Sequence, residues 1–555
     1  MKSTALAISV ALALGAMAQP AVAAPAAQPF MWENATVYFL LTDRFNNGDR
    51  KNDLAYGRKA DGAPMRGYLG GDLAGITAKI REGYFDKLGV TAIWITPPVE
   101  QIHEGTDEGT GKSYGFHGYW AKDFTKVDAN LGTEADVRKL VDTAHAHGIR
   151  VLLDVVMNHT GPVTQTDTAW PEDWVRTGPV CTYKDAVTTI QCTLVKNLPD
   201  IRTDSVKPVA LPPQLVAKWK KEGRYEREVK ELDEFFKRTG YPRTPRYYLM
   251  KWHADWVRKY GFDGFRGDTV KHTEPEVWLE LKKVAGDAFE DWKRANPKKK
   301  LGDDKFFMTS EVYNYAIGHG RKFDMGGANY VDFLANGFDN MINFSFKEDA
   351  KLGYEKLFSS YSDQLNGPMK GYSVLNYLSS HDDGAPFDAM RAKPYESANL
   401  LLLAPGAAQV YYGDEAARVL KHEGAQGDAH LRTFMNWQDL ASNAQRDGYR
   451  VADVQKHWAL LGQFRKAHPA VGGGVHRKLA DSPYTFARTL ERNGVKDKVV
   501  VALDVAAGKP AAIPVAGVFA DGDKVRDHYT GKTAVVSNGR AQFDGVGSVV
   551  LIGQQ

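Results

Sequence analysis

Eight apolar, strand-like runs recur along this chain, and most are separated by stretches with helical periodicity. They cover residues 36–42, 90–96, 150–155, 261–268, 306–311, 338–344, 373–381 and 408–412. Near-continuous apolar runs of this length suit strands buried on both faces, and alternation of strand with helix builds a parallel sheet. The stretch 134–147 is one of the amphipathic segments between them, with Val137, Leu140, Val141 and Ala144 on one face. Eight such units predict an α/β chain folded as a (β/α)8 TIM barrel. An open doubly wound sheet is the alternative, but no glycine-rich phosphate turn follows the first strand.

Strands three and four are about a hundred residues apart, far beyond an ordinary connection. The intervening residues 160–243 hold both cysteines, Pro208, Pro212, Pro213 and a highly charged helical stretch at 214–238. They read as a subdomain inserted after strand 3, between barrel segments 24–159 and 244–468. Beyond residue 468 the pattern changes to short β-like runs at 484–490, 498–506, 511–519 and 548–552, with Gly, Asp and Asn turns between them. This predicts a C-terminal antiparallel β-sandwich domain over 469–555.

The first 23 residues read as an export signal: Lys2, an apolar stretch at 5–18, and the small-residue exit Ala21-Val22-Ala23. The stretch is too short to span a bilayer. The mature chain is therefore expected in the periplasm or outside the cell, with no membrane association after cleavage. In an oxidising compartment Cys181 and Cys192 close one small loop; the alternative is two buried thiols. With 71 basic and 68 acidic residues the net charge is +3, which leaves no electrostatic footprint for nucleic acid. Nothing in the chain calls for an oligomer, and a monomer is expected.

Four segments carry chemistry: 154–159 (DVVMNH), 264–272 (GFRGDTVKH), 309–312 (TSEV) and 379–382 (SSHD). Side chains alternate along a strand, so Arg266 and Asp268 share the inward face while Phe265 and Gly267 face the surrounding helices. A guanidinium beside a carboxylate favours its ionised form and orients it, as a nucleophile requires. Taken alone, a buried structural Arg–Asp pair accounts for the same residues equally well. Glu311 ends an apolar run; in a dry cleft it could keep a proton for a leaving oxygen. Asp382 follows His381 at the end of another run. Singly these signals are weak, but three acids on successive strand ends converge on one barrel mouth, as glycoside hydrolysis needs.

With these segments, the chain resembles glycoside hydrolase family 13, the α-amylase family, over nearly its whole mature length. Residues 116–120 (FHGYW), 198–201 (LPDI), 400–415 (LLLLAPGAAQVYYGDE) and 435–438 (MNWQ) bring it closest to exported, periplasmic-type bacterial members. The resemblance implies a retaining hydrolase of α-1,4-glucans such as starch, glycogen and maltodextrins. It implies Asp268 as nucleophile, Glu311 as general acid and base, and Asp382 as a carboxylate gripping the cleaved sugar. Tyr119 would stack under that sugar and His159 and His381 would hydrogen-bond it. Arg266 would set the charge state of Asp268, and Lys271 and His272 would flank the leaving group. Two departures stand out: Gly267 and Ser380 occupy positions where the family usually has a bulky apolar residue and an Asn.

Asn47, Asp49, Asn52 and Asp53, then Gly70 and Asp72, offer oxygens at loop spacing that suits Ca²⁺. Ordinary turn chemistry explains the same cluster. The resemblance implies an N-terminal calcium loop there and a second calcium site at Asn158, Asp200 and the His272 carbonyl. Its third side chain is left open among Asp167, Glu172 and Asp173.

Overall fold

The computed structural model describes residues 29–492 and 494–555; the expected export signal lies outside them. Eight parallel strands close into a barrel: β1 (Thr36–Leu40), β2 (Ala92–Ile95), β3 (Arg150–Val155), β4 (Gly264–Gly267), β5 (Phe307–Ser310), β6 (Asn340–Asn343), β7 (Ser373–Asn376) and β8 (Ala407–Tyr411). Each falls within or across one of the eight apolar runs. The order β1-β8-β7-β6-β5-β4-β3-β2 closes where Thr36–Phe39 pair with Ala408–Tyr411. Every residue of these strands is buried, which is why they read as continuous apolar runs without alternation.

Helices cover the barrel: α1 (Leu73–Arg81), α2 (Glu134–Ala146), then, past the insert's α3 (Pro213–Lys221) and α4 (Tyr225–Thr239), α5 (Pro245–Tyr260), α6 (Pro275–Ala295), α7 (Tyr354–Asn366), α8 (Pro394–Leu402) and α9 (Val451–Ala467). Asp72 caps α1 by accepting from the Gly75 N–H, and Thr133 with Asp136 forms a capping box on α2. Between β5 and β6 the connection is a 3₁₀ turn (Ile317–His319) and a two-stranded hairpin.

The chain between β3 and α5 is seated by aromatic packing. Trp170, Trp174 and Trp219 of this segment surround Trp252 of α5, with ring centroids 6.0–6.3 Å from it. Cys181 and Cys192 are joined, with Cα atoms 4.9 Å apart. No helix among the described residues is long and apolar enough to cross a membrane.

The C-terminal residues form eight antiparallel strands: β9 (Val475–Asp481), β10 (Tyr484–Arg492), β11 (Val495–Leu503), β12 (Ala511–Pro514), β13 (Lys524–Asp527), β14 (Thr533–Ser537), β15 (Arg540–Phe543) and β16 (Val549–Gln554). Their order is β9-β10-β11-β16-β13-β14-β15-β12. Period-two alternation splits β11 and β16 between two cores. Val499, Val501, Leu503, Val549 and Leu551 join the core shared with the barrel. Val500, Ala502, Val550 and Ile552 pack with Ile513, Val525, Val536 and Phe543 in a core of the sheet's own. Four of these strands, β9, β13, β14 and β15, escape a sequence reading because their burial is weaker and interrupted.

Candidate active site at the barrel mouth

Asp268 stands just past β4 and Glu311 just past β5, at the barrel end where loops of this fold build their sites. Asp382 lies farther out. The apolar run expected to be strand through His381 pairs only to Asn376, and the rest is loop.

Arg266 organises the mouth. It lies near the end of β4, two positions before Asp268, and its Nη1 donates to Asp268 Oδ1 at 2.6 Å. The same nitrogen donates to Asp154 Oδ1 at 2.9 Å, while Nη2 meets Glu311 Oε1 at 2.9 Å. One buried cation thus holds three carboxylates. Glu311 Oε2 also accepts from the Thr269 N–H at 2.8 Å. Thr269 has φ 47°, a left-handed conformation costly for a β-branched residue, and it sits directly between Asp268 and Val270. Backbone bonds from Glu311 N to Gly267 O and from Val270 N to Glu311 O, both 3.0 Å, lock the two strand ends together.

The carboxylates differ in environment. Burial pushes the Glu311 carboxyl well above its ordinary range, with Arg266 opposing and the charges of Asp268 and Asp382 adding to the rise. Burial acts in the same direction on Asp154. Three acids on one cation cannot all ionise cheaply, so protons stay where desolvation is severe. Asp382 is the carboxylate left open to the cleft: its side chain is 31% exposed, against 9% for Asp268 and 8% for Glu311. Burial, Arg432 and Arg266 push the His381 imidazole well down, so it is neutral.

The other expected contacts divide. The Tyr119 hydroxyl donates to Asp154 Oδ2 at 2.8 Å, and its ring lies 5.4 Å from that of His381. His381 in turn is held by Arg432, whose Nε donates to its carbonyl at 2.9 Å. His159 faces protein at both ring nitrogens: Nε2 is 3.1 Å from the Tyr119 carbonyl and Nδ1 is 3.3 Å from the Asn158 amide. His272 turns Nδ1 to the Thr189 carbonyl of the insert at 2.8 Å. Lys271 stands at the rim with its Nζ between the exposed rings of Tyr183 and Tyr313, 5.5 and 5.4 Å from their centroids.

Asp154, Trp94, Tyr183 and Tyr313 are additions to the set read from sequence. Trp94 Nε1 donates to Asp154 Oδ2 at 3.0 Å. The available signal for Asp154 was a lone acid inside an apolar run; strand register makes it meaningful by pairing it with Arg266. Gly267 also receives an explanation. A Cβ there would come within 2.9 Å of the Trp278 ring on α6, so that indole fills the space a larger residue would need. Ser380 Oγ lies 3.4 Å from His381 Nδ1.

Two oxygen-rich clusters lie apart from the acids. One end of the Asn158 amide is 3.1 Å from Asp200 Oδ1 and 2.7 Å from the His272 carbonyl. Turned one way, its NH₂ donates to both; turned the other, three oxygens converge as a hard cation requires. Asp200 Oδ2 is buried without a hydrogen bond, with only Arg176 Nε at 3.3 Å. The open third ligand finds no match among its candidates. Asp167 accepts from the N–H groups of His103 and Glu104 and pairs with Lys122, while Glu172 and Asp173 are exposed.

In the N-terminal loop, Asp72 accepts from Gly48 N at 3.0 Å, Asp49 N at 2.7 Å and Asn52 Nδ2 at 3.2 Å. Asn47 Nδ2 donates to Asp53 Oδ1 at 2.8 Å beside Gly70, whose φ of 89° permits the close approach. The buried side-chain oxygens of Asn47 and Asn52 have no partner, whereas Asp49 is exposed and accepts from Lys51 N.

The family model for the α-amylase catalytic domain matches residues 39–459. The chain belongs to the α-amylase family. It is thus a glycoside hydrolase, and the family's barrel is the one described here. It is 38% identical over 518 residues to a periplasmic alpha-amylase of Escherichia coli K12, covering 83% of this chain and 71% of that one. Identity to an alpha-amylase of Streptomyces lividans is 29% over 510 residues, covering 80% and 52%. A cyclomaltodextrin glucanotransferase of Paenibacillus macerans is 26% identical over 550 residues, covering 93% and 66%. Against these last two relatives, the chain spans between half and two thirds of their length. Among solved structures, an Anoxybacillus alpha-amylase superposes with a TM-score of 0.63 at 21% identity, covering 95% of this chain and 99% of that one. At that identity the likeness concerns the fold alone.

Proposed function

We propose that this α-amylase family member is an exported, monomeric hydrolase that cleaves α-1,4-glucosidic bonds of starch, glycogen and maltodextrins with retention. The observation that carries the reading is Arg266 holding Asp268 and Glu311 on its two terminal nitrogens while Asp382 stays open to the cleft. A shared guanidinium favours the close carboxylate pair of retaining enzymes, about 5–5.5 Å, over the wider inverting pair. Asp268 attacks the anomeric carbon as Glu311 gives its proton to the departing glycosidic oxygen. The resulting glycosyl-enzyme is then hydrolysed by a water whose proton goes to the now ionised Glu311. Asp382 and His381 hold the sugar, and Tyr119 packs beneath it. Residues 24–159 with 244–468 form the catalytic barrel in this reading, 160–243 the lid-like insert, and 469–555 the C-terminal domain.

The test is to follow maltoheptaose cleavage and read the anomeric form of the new reducing ends. α-Maltooligosaccharides are expected, and β-anomers would sink the retaining assignment. Run across pH, the rate should fall on the alkaline side as Glu311 loses its proton, and Glu311→Gln should lack that limb on substrates whose leaving group needs no protonation.

A second reading has its own observation. The exposed Tyr183 and Tyr313 rings around Lys271 form a platform for an acceptor sugar, which would favour transglycosylation. Excess maltose during the same assay separates the two: longer or cyclic products dominating would overturn the hydrolase assignment.

The converging oxygens of Asn158, Asp200 and the His272 carbonyl, and the unpartnered oxygens of Asn47 and Asn52 near Asp53, Gly70 and Asp72, fit Ca²⁺. Calcium at the first cluster would neutralise a buried carboxylate and tie the insert to β3 and β4. Chelation should therefore lower the unfolding temperature by several degrees, and Asp200→Asn should shrink that calcium-dependent shift. An unfolding temperature indifferent to calcium would remove the metal from this account.

A further inference from the structure

A broad groove of about 970 Å³ runs between the base of the barrel and the C-terminal strands, at the end opposite the acids. Two histidines meet in it. His468 caps the C-terminus of α9, and His528 follows β13. Their Nε2 atoms are 3.4 Å apart, and the rings stand at 87° to one another. Asp497 on β11 sits behind His468, its Oδ1 3.0 Å from Nδ1 while its Oδ2 accepts from the Ala470 N–H at 2.9 Å. That carboxylate favours the Nδ1–H tautomer, which leaves His468 Nε2 with a free lone pair in the groove. The opposing strand is cut back to receive them. A Cβ at Gly553 would lie 2.5 Å from His468 Nε2 and 2.9 Å from His528 Nε2, so only glycine fits in this stretch of β16.

Two imidazole nitrogens bound at ~2.0–2.1 Å to one tetrahedral ion lie ~3.3–3.4 Å apart. The separation seen here is that distance, and a carboxylate on the far nitrogen is the outer partner that metal-bound histidines ordinarily have. We propose that His468 and His528 bind a divalent late transition ion such as Zn²⁺, with Asp497 as the outer carboxylate and water from the groove completing the coordination. Imidazole suits such ions, whereas Ca²⁺ takes oxygen, so this site is chemically separate from the calcium clusters. Occupancy joins the last barrel helix to β11 and β13 and staples the C-terminal strands to the barrel. The competing account is one imidazole N–H donating to the other ring.

The full chain, stripped of metal and held in excess Ca²⁺, is titrated with Co²⁺ and then Zn²⁺. One equivalent of Co²⁺ should give d–d absorption that Zn²⁺ abolishes. His528→Gln should lose the band, His422→Gln, at a histidine outside the groove, should keep it, and Asp497→Asn should weaken binding about 10–100-fold. Because His528→Gln also removes a packed ring, the unmodified protein supplies an independent reading. Zn²⁺ should protect His468 and His528 from diethyl pyrocarbonate, as located by peptide mapping. Absence of the band, equal Co²⁺ affinity in folded His528→Gln, or unprotected histidines each overturns the proposal.

Discussion

Asp268→Asn should lower kcat by at least about 10⁴-fold, equivalent to roughly 5.5 kcal/mol of transition-state stabilisation, while leaving maltodextrin affinity nearly unchanged. The amide has the size and shape of the carboxylate, and its oxygen can still accept from Arg266 Nη1, which now bonds at 2.6 Å. What it lacks is the nucleophilic charge that forms the covalent intermediate. Steady-state rates on maltoheptaose together with calorimetric binding check this. Turnover close to the parent value would remove Asp268 from the nucleophile role. Loss of binding along with rate would instead point to a collapsed site, because three carboxylates and one guanidinium share this volume.

Arg266→Met should be the most damaging single change for stability. The guanidinium is buried and is the common partner of Asp154, Asp268 and Glu311. Removing one member of a buried ion pair typically costs about 3–5 kcal/mol because the remaining charge is uncompensated. Here the relief is proton uptake. Burial already holds the Glu311 and Asp154 carboxyls above their ordinary range, and without Arg266, which opposes that rise, both go higher still. A carboxyl so raised contributes stability that is fully present below the unfolded pKa and is lost as pH rises through the folded one. The deficit of the variant should therefore be small in mild acid and grow toward neutrality, as denaturant unfolding at several pH values would show. A deficit independent of pH would mean that Arg266 acts through packing instead. Arg266→Lys should not rescue, since a point charge cannot serve separate carboxylates on two fixed nitrogens.

The site was legible in unequal parts. Arg266 and Asp268 could be placed on one face because they are two positions apart in a strand-like run, with only Gly267 between them, and the structure joins them directly. Gly267 was legible as an outward position, but not its reason, which is the Trp278 indole on a later helix. Asp154 opens one of the four chemistry-bearing segments but had no role assigned to it: inside an apolar run a single acid has no periodic signature, and only its register opposite Arg266 gives it one. Tyr183 and Tyr313 are distant in sequence and both flank Lys271 only because the insert brings Tyr183 to it. For His159 and His272, sequence resemblance assigned sugar contacts, yet the ring nitrogens described above are turned to the Tyr119 and Thr189 carbonyls and the Asn158 amide.

The sequence by itself determined the eight barrel strands, the inward faces of Arg266 and Asp268, and the presence of a large segment between strands three and four. These are encoded locally, since burial on both faces and period-two alternation are visible within a few residues. Only the tertiary structure decided that one guanidinium serves three acids, that Asp382 leaves its strand early, and that His468 and His528 meet across Gly553. Those outcomes depend on barrel closure and loop path, which bring together residues whose spacing along the chain carries no trace of their separation in space.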